Sequence, residues 1–148
     1  MKQFDEMSTD QKTKEKTSQK KYKTITDKKS LESFTASIER GTLLSLDLET
    51  TSVDPMKAEI VGLSFSTKPE SGVYIPVVYK DKKDTHFGKD EISVILEAVK
   101  PVLEDPAIPK TGQNIKYDAL IYKRYGVHVR GIIFDTMLAA HLFSPETR

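Results

Sequence analysis

The sequence predicts an α/β domain, and three observations carry that expectation. Runs rich in branched and aromatic residues, which suit a pleated and half-buried surface, are interleaved with segments whose apolar residues recur at helical spacing. Three of the extended runs follow one another with no helix between them, the pattern of a meander. The length, 148 residues, is enough for one domain with its own core.

Residues 1–20 hold almost no branched aliphatic side chains and are rich in Lys, Gln, Ser and Thr, so a disordered Lys-rich leader or linker is expected ahead of a folded unit at 21–148. That unit opens with a short strand at 22–27, through Tyr22 and Ile25. In 31–40, Leu31, Phe34 and Ile38 recur at helical spacing, with Ser30 placed to cap the helix and Gly41 to stop it. TLLSLDLE, IVGLSFS and GVYIPVVY follow as three strands. A charged loop, KDKKDTHFGKD, leads to DEISVILEAVKPVLED, an amphipathic helix with Ile92, Ile95, Leu96, Val99 and Leu103 on its apolar side, which Pro101 is expected to kink or end. After Pro109 a short extended piece precedes a helix in GQNIKYDALIYKRYG, capped by Asn114 and ended at Gly126. VHVRG is then extended, and FDTMLAAHLFS forms a last helix that stops near Pro145.

Charge and composition exclude several classes. The formal net charge is +1, with nine Lys against five acids in residues 1–30 and a net of −3 in the remainder. A chain so close to neutral is not a general nucleic-acid-coating protein, so any nucleic-acid function must rest on a local site. The absence of cysteine removes disulfide frameworks and thiolate metal sites. No stretch approaches the ~20 apolar residues of a membrane span, and no signal-peptide core follows the Lys-rich start. The expectation is a cytoplasmic protein that does not engage a membrane.

In a strand, side chains alternate, so Leu44, Leu46 and Leu48 face one way while Ser45, Asp47 and Glu49 face the other. Two carboxylates at the end of an otherwise apolar strand repel each other and lose hydration unless a cation sits between them. Hard oxygen donors without Cys or a His cluster suit Mg²⁺ or Mn²⁺. Asp47 and Glu49 form the only acid-x-acid pair in the sequence, yet such a pair alone also describes a solvated strand end. Further on, Asn114 and Asp118 stand one turn apart on a helix, with Asp118 in the first turn, where the helix dipole favours an anion. Alone, that too is ordinary helix-start chemistry.

Taken in order, LDLETT, IVGLSFS followed by GVYIPV, GQNIKYD and FDTMLAAHL resemble the 3′→5′ proofreading exonuclease domain of bacterial DNA polymerase I, from about Tyr22 to the last residue. GQNIKYD and FDTMLAAHL are more similar to this polymerase family than to its ribonuclease D or stand-alone proofreading relatives. The resemblance implies a ribonuclease-H-like mixed sheet flanked by helices, of the DEDD group, truncated at its C terminus. It implies that Asp47 bridges two divalent ions, Mg²⁺ or Mn²⁺, that Glu49 ligates the ion activating water, and that Asp118 holds the second ion, partly through water. Thr50, Val53, Gln113, Asn114 and Tyr117 are implied to contact or border the 3′-terminal nucleotides; the family often has Leu where this chain has Val53. Asp135 is implied to be a structural helix-start residue.

The activity so implied is two-metal hydrolysis of the 3′-terminal phosphodiester, releasing nucleoside monophosphates, with ions about 3.5 to 4 Å apart. The implied partners are single-stranded or frayed DNA 3′ ends and the remainder of a polymerase chain acting in replication and repair. The family's third motif, Tyr-x-x-x-Asp, does not occur in these residues. The isolated chain is therefore expected to be nearly inactive and to expose an apolar face, with Val99, Leu103 and the terminal helix contributing. His86, His128 and His141 are expected to be structural or solvated. Two alternatives stand beside this one: a non-catalytic structural or DNA-binding module of the polymerase, and a ribonuclease D-like RNA exonuclease using the same acids.

Overall fold

The computed structural model describes residues 21–77, 87 and 90–144. The leader expected at 1–20, most of the charged loop and His86 lie outside them. The elements run β1 (Lys21–Thr24), α1 (Lys28–Ala36), β2 (Leu44–Thr50), β3 (Ile60–Ser66), β4 (Ser71–Pro76), α2 (Glu91–Glu104), β5 (Lys110–Gly112), α3 (Ile115–Arg124), β6 (Ile132–Asp135) and α4 (Thr136–Phe143).

The six strands form one mixed sheet in the order β1-β4-β3-β2-β5-β6. The expected meander is present, since β2, β3 and β4 pair antiparallel in succession. β1 joins β4 in parallel, and β5 and β6 extend the sheet from β2, also in parallel. Parallel pairs need crossovers, and α1, α2 and α3 lie in those connections.

The leucines of β2, with Leu63 and Phe65 of β3 and Ile75 of β4, are buried. They share one core with Leu31 of α1, Ile95, Leu96, Val99 and Leu103 of α2, and Ile121 and Tyr122 of α3. The rings of Phe34 and Phe65, 6.0 Å apart, tie α1 to the sheet. Lys110 is buried as well: its Nζ donates to the Asp105 carbonyl at 2.6 Å. Burial lowers its pKa, against the opposing pull of the Asp105 charge.

Several boundaries differ from the sequence expectations. α1 is capped by Asp27, whose carboxylate accepts from the Ser30 N–H at 2.8 Å, and not by Ser30 itself. It ends at Ser37; Gly41 (φ +85°) instead turns the following segment, its N–H donating to Ala107. Pro101 lies inside α2 and does not end it, because Val102 and Leu103 beyond it are buried and their packing outweighs one missing backbone bond. Phe134 and Asp135 belong to β6, paired with Thr111 and Gly112, so the last helix starts at Thr136. Val99 and Leu103 are not part of any exposed apolar face; that face is made by Ile133 and Phe134 of β6 with Leu138, Leu142 and Phe143 of α4.

Candidate active site

The site grows from the end of β2. Asp47 pairs with Ser64, Leu48 with Leu63 and Glu49 with Gly62, after which the register slips and Thr50 pairs with Ile60. Such a bulge bends a strand and re-aims the side chains beside it. Asp47 and Glu49 project from the face opposite the leucines, and both are exposed. Their Cα atoms are about 7 Å apart along the strand.

α3 brings the third acid. Gly112 lets its entry run close to β2, since a Cβ there would stand 2.8 Å from the Leu46 carbonyl. Asn114 occupies the N-cap position in left-handed geometry (φ 53°), but its side chain makes no capping bond, contrary to the sequence expectation. Asp135 does that job from β6: its carboxylate accepts from the N–H groups of Asn114 and Ile115, both at 3.0 Å. It also caps α4 through Met137 and Leu138, which fits the structural part implied for it. Burial pushes the Asp135 carboxyl up, but the backbone donors of Asn114, Leu138, Met137 and Ile115 together hold it below the usual carboxylate range.

So anchored, α3 delivers Asp118 to the middle of β2, where its Oδ1 accepts from the Leu48 N–H at 3.0 Å. Asp118 is 2% exposed. Burial, followed by the charge of Asp47, pushes its pKa up to about 7, against the lowering effect of the Leu48 bond. Partial desolvation likewise lifts Asp47. Tyr122, one turn after Asp118, is fully buried with a hydroxyl that has no partner among the described residues. Burial first, then the charges of Asp118 and Asp47, push that phenol well above its ordinary value.

Thr50, Val53, Asn114 and Tyr117 line one cleft of about 470 Å³ together with Thr51 and Ser52. Tyr117 fixes its wall by donating to the Ser52 carbonyl, while the Thr50 hydroxyl lies 2.8 Å from the Tyr117 oxygen. Val53 stands on the rim, 94% exposed, and Gln113, though adjacent in sequence, is not among the lining residues. A second cleft of about 420 Å³ lies on the open sheet face and includes Asp47, Ser45, Ser64, Ser66, Tyr22 and Tyr74.

The structure thus brings Asp118 into the field of Asp47 and gathers four of the five expected nucleotide-binding residues into one cleft. Among the described residues no three His, Cys, Asp or Glu side chains converge as a ready-made metal cage, so Asp47, Glu49 and Asp118 do not close into one group. Asp47 and Glu49 sit two residues apart on a strand, and their like charges favour separate orientations. His128 and His141 are exposed and stand outside this group. Sequence reasoning missed Ser52 as the acceptor that holds Tyr117, the orphaned hydroxyl of Tyr122, and Tyr74 on the open face; only the Tyr122 spacing, four residues after Asp118, carried a signal.

Comparison with known proteins agrees with this geometry. A family model described as 3′–5′ exonuclease matches residues 22–148. DNA polymerase I of Pseudomonas aeruginosa is 32% identical over 133 residues, covering 86% of this chain and 14% of that protein. DNA polymerase I of Rhizobium leguminosarum is 35% identical over 141 residues, covering 85% and 14%. The chain therefore spans about one seventh of the length of these relatives. Among solved structures, the POL domain of Pol1 from M. smegmatis in complex with DNA primer-template and dNTP superposes with a TM-score of 0.61 at 22% identity, covering 86% of this chain and 20% of that one. Trypanosoma brucei RNase D in complex with RNA U12 gives 0.61 at 16% identity, covering 80% and 38%. At such identities the structures establish the ribonuclease-H-like exonuclease fold alone.

Proposed function

The chain belongs to the 3′–5′ exonuclease family of DNA polymerase I, and from that membership we propose that Asp47, Glu49 and Asp118 hydrolyse the 3′-terminal phosphodiester of single-stranded or frayed DNA in replication and repair. The observation that carries the proposal is the encounter of Asp118 with Asp47: a buried acid from α3 faces an acid from β2, and its ionisation is penalised by burial and by that neighbour. No Lys, Arg or His among the described residues forms an ion pair with Asp47, Glu49 or Asp118, so within those residues the negative charge has no counterion. An all-oxygen donor set with uncompensated charge fits Mg²⁺ or Mn²⁺. Structural neighbours support the same class of ion, since the EXD2 exonuclease domain was studied soaked in Mg and GMP and in Mn and GMP.

Divalent ions, two by the family's pattern, would supply charge neutralisation and a more acidic water at the scissile phosphate. The protein's own residues do the rest. Asp118 is held by the Leu48 N–H, so one carboxylate oxygen is fixed in direction before anything binds. Tyr117 and Thr50 brace the wall of the neighbouring cleft, in which the terminal nucleotide rests against Val53 and Asn114. Gln113 borders the same entry from the segment before α3. A strand end enters such a site only when unpaired, because stacking and backbone contacts are then available. With three carboxylates and no Tyr-x-x-x-Asp motif in these 148 residues, turnover by the chain alone is slow. The rest of a polymerase chain is its natural partner and the cytoplasm its natural place; no described helix is long and apolar enough to cross a membrane.

DNA is preferred over RNA as substrate because the relatives at 32% and 35% identity are DNA polymerases, whereas the RNase D likeness is one of fold. The test is a single-turnover reaction with excess chain, Mn²⁺ and a 5′-labelled single-stranded oligonucleotide, run beside Asp47→Ala. Stepwise shortening from the 3′ end, absent in the variant and slower on an RNA of the same sequence, is the expected result. Internal cuts, or shortening that survives Asp47→Ala, would contradict the proposal.

A further inference from the structure

On the open face of the sheet the Tyr74 ring reaches over Gly62, the residue paired with Glu49, and among the described residues neither side chain uses its hydrogen-bonding groups. Glu49 lies opposite Gly62 on β3, and two residues along β3 Ser64 lies opposite both Asp47 and Tyr74. Asp47, Ser64 and Tyr74 therefore share a face with Glu49 and Gly62. The Tyr74 ring leans from its own row across Gly62: a Cβ built on that glycine would meet Tyr74 Oη at 2.4 Å, Cε2 at 2.6 Å and Cζ at 2.8 Å. Residues directly opposite in an antiparallel pair have Cα atoms about 4.5 to 5.5 Å apart. The phenol oxygen thus lies over the residue that flanks Glu49. Among the described residues the Tyr74 hydroxyl has no hydrogen-bond partner, and the Glu49 carboxylate has neither a donor nor an ion-pair partner.

We infer that Tyr74 is a positioning residue for Glu49: with a cation bound, its hydroxyl donates to the Glu49 carboxylate, a bond the metal-free chain does not make, and sets the direction in which that carboxylate offers its oxygens. Gly62 provides the clearance that admits the ring. Asp118 has its director in the Leu48 N–H before anything binds; Tyr74 would direct Glu49 once the cation is in place. The inference rests on the proposal that Asp47, Glu49 and Asp118 hold a divalent ion. Partners that orient metal ligands in this way are typically worth 10- to 100-fold in metal affinity.

The competing explanation is that the ring merely covers a strand glycine, and Tyr74→Phe separates the two because it keeps the ring and removes only the hydroxyl. The experiment is calorimetric titration of the 148-residue chain with Mn²⁺ alone, for wild type, Asp47→Ala, Tyr74→Phe, Glu49→Ala and the Glu49→Ala/Tyr74→Phe double variant, with a thermal midpoint for each. Tyr74→Phe is expected to weaken Mn²⁺ binding about 10-fold with an unchanged midpoint, and to have no further effect once Glu49 is gone. Gly62→Ala, which forces the ring aside while keeping the hydroxyl, is expected to match Tyr74→Phe; the atoms it meets are the far end of a side chain that can turn outward. Wild-type affinity in Tyr74→Phe, or an equal loss with and without Glu49, overturns the inference while loss of binding in Asp47→Ala leaves the cation site standing. Absence of any Asp47-dependent binding in the wild type overturns both.

Discussion

β2 carries two environments on one strand of seven residues. Leu44, Leu46 and Leu48 are between 0% and 6% exposed, packed under α1, α2 and α3, whereas Ser45, Asp47 and Glu49 alternate with them on the open face. The closed side gains its stability from apolar burial, about 25 cal/mol per Å² removed from water, and needs no ligand to hold it. The acid-bearing side, joined by the buried Asp118, loses stability when Asp118 ionises in the metal-free chain. One side therefore sets the shape and the other spends part of that stability on chemistry, with the backbone of Leu48 shared between them, since its side chain is core and its N–H holds Asp118.

The largest expected effect lies on the closed side. Leu46→Ala removes a buried side chain from the centre of the sheet and is expected to cost roughly 2 to 5 kcal/mol in urea unfolding, while Ser45→Ala, its neighbour on the open face, should stay within about 0.5 kcal/mol. Comparable losses in the two variants would break the distinction between the faces.

Next comes Asp118→Asn, with the opposite sign. The folded pKa of Asp118, about 7, lies above its ordinary value of 3.8. The contribution of Asp118 to the stability of the metal-free fold is therefore fully present below about pH 4 and is lost as pH rises through 7. Asn keeps an oxygen for the Leu48 N–H and removes the charge. The variant should equal wild type near pH 4 and exceed it by roughly 2 to 4 kcal/mol at pH 8, measured by urea unfolding in a chelating buffer. A pH-independent difference would mean that ionisation is not its cause. A smaller loss, about 1 kcal/mol, is expected for Tyr117→Phe, which deprives the Ser52 carbonyl of its donor; oligonucleotide binding followed by fluorescence anisotropy should weaken with it.

What was legible in the sequence follows the same division. The leucine alternation in β2, the apolar side of α2 and the order of the three meander strands all follow from local periodicity, and the structure reproduces them. The meeting of Asp47 with Asp118 is a contact across 71 residues, and no spacing rule encodes it; the ordered motifs made it readable only through resemblance. Capping was misjudged by three residues at α1, where Asp27 and not Ser30 is the cap, and more deeply where the cap comes from far away. Asn114 has the right chemistry, but Asp135, 21 residues on, reaches the same N–H groups with two carboxylate oxygens while Asn114 turns left-handed. The helix end expected at Pro101 failed for a related reason: a local rule weighs one lost hydrogen bond, whereas Val102 and Leu103 beyond it bring in the whole core. Tyr74 gave no signal at all, because its position over Gly62 depends on the register of two strand pairs.

The most direct test of the account is Mn²⁺ binding by Asp118→Asn at pH 7.5, measured by calorimetry beside wild type. If the acids of the site are kept at the expense of stability in order to hold a cation, the variant that is more stable without metal should lose most of its Mn²⁺ affinity. Equal affinity in the two proteins would contradict the account, leaving Asp118 a buried acid with no part in the site.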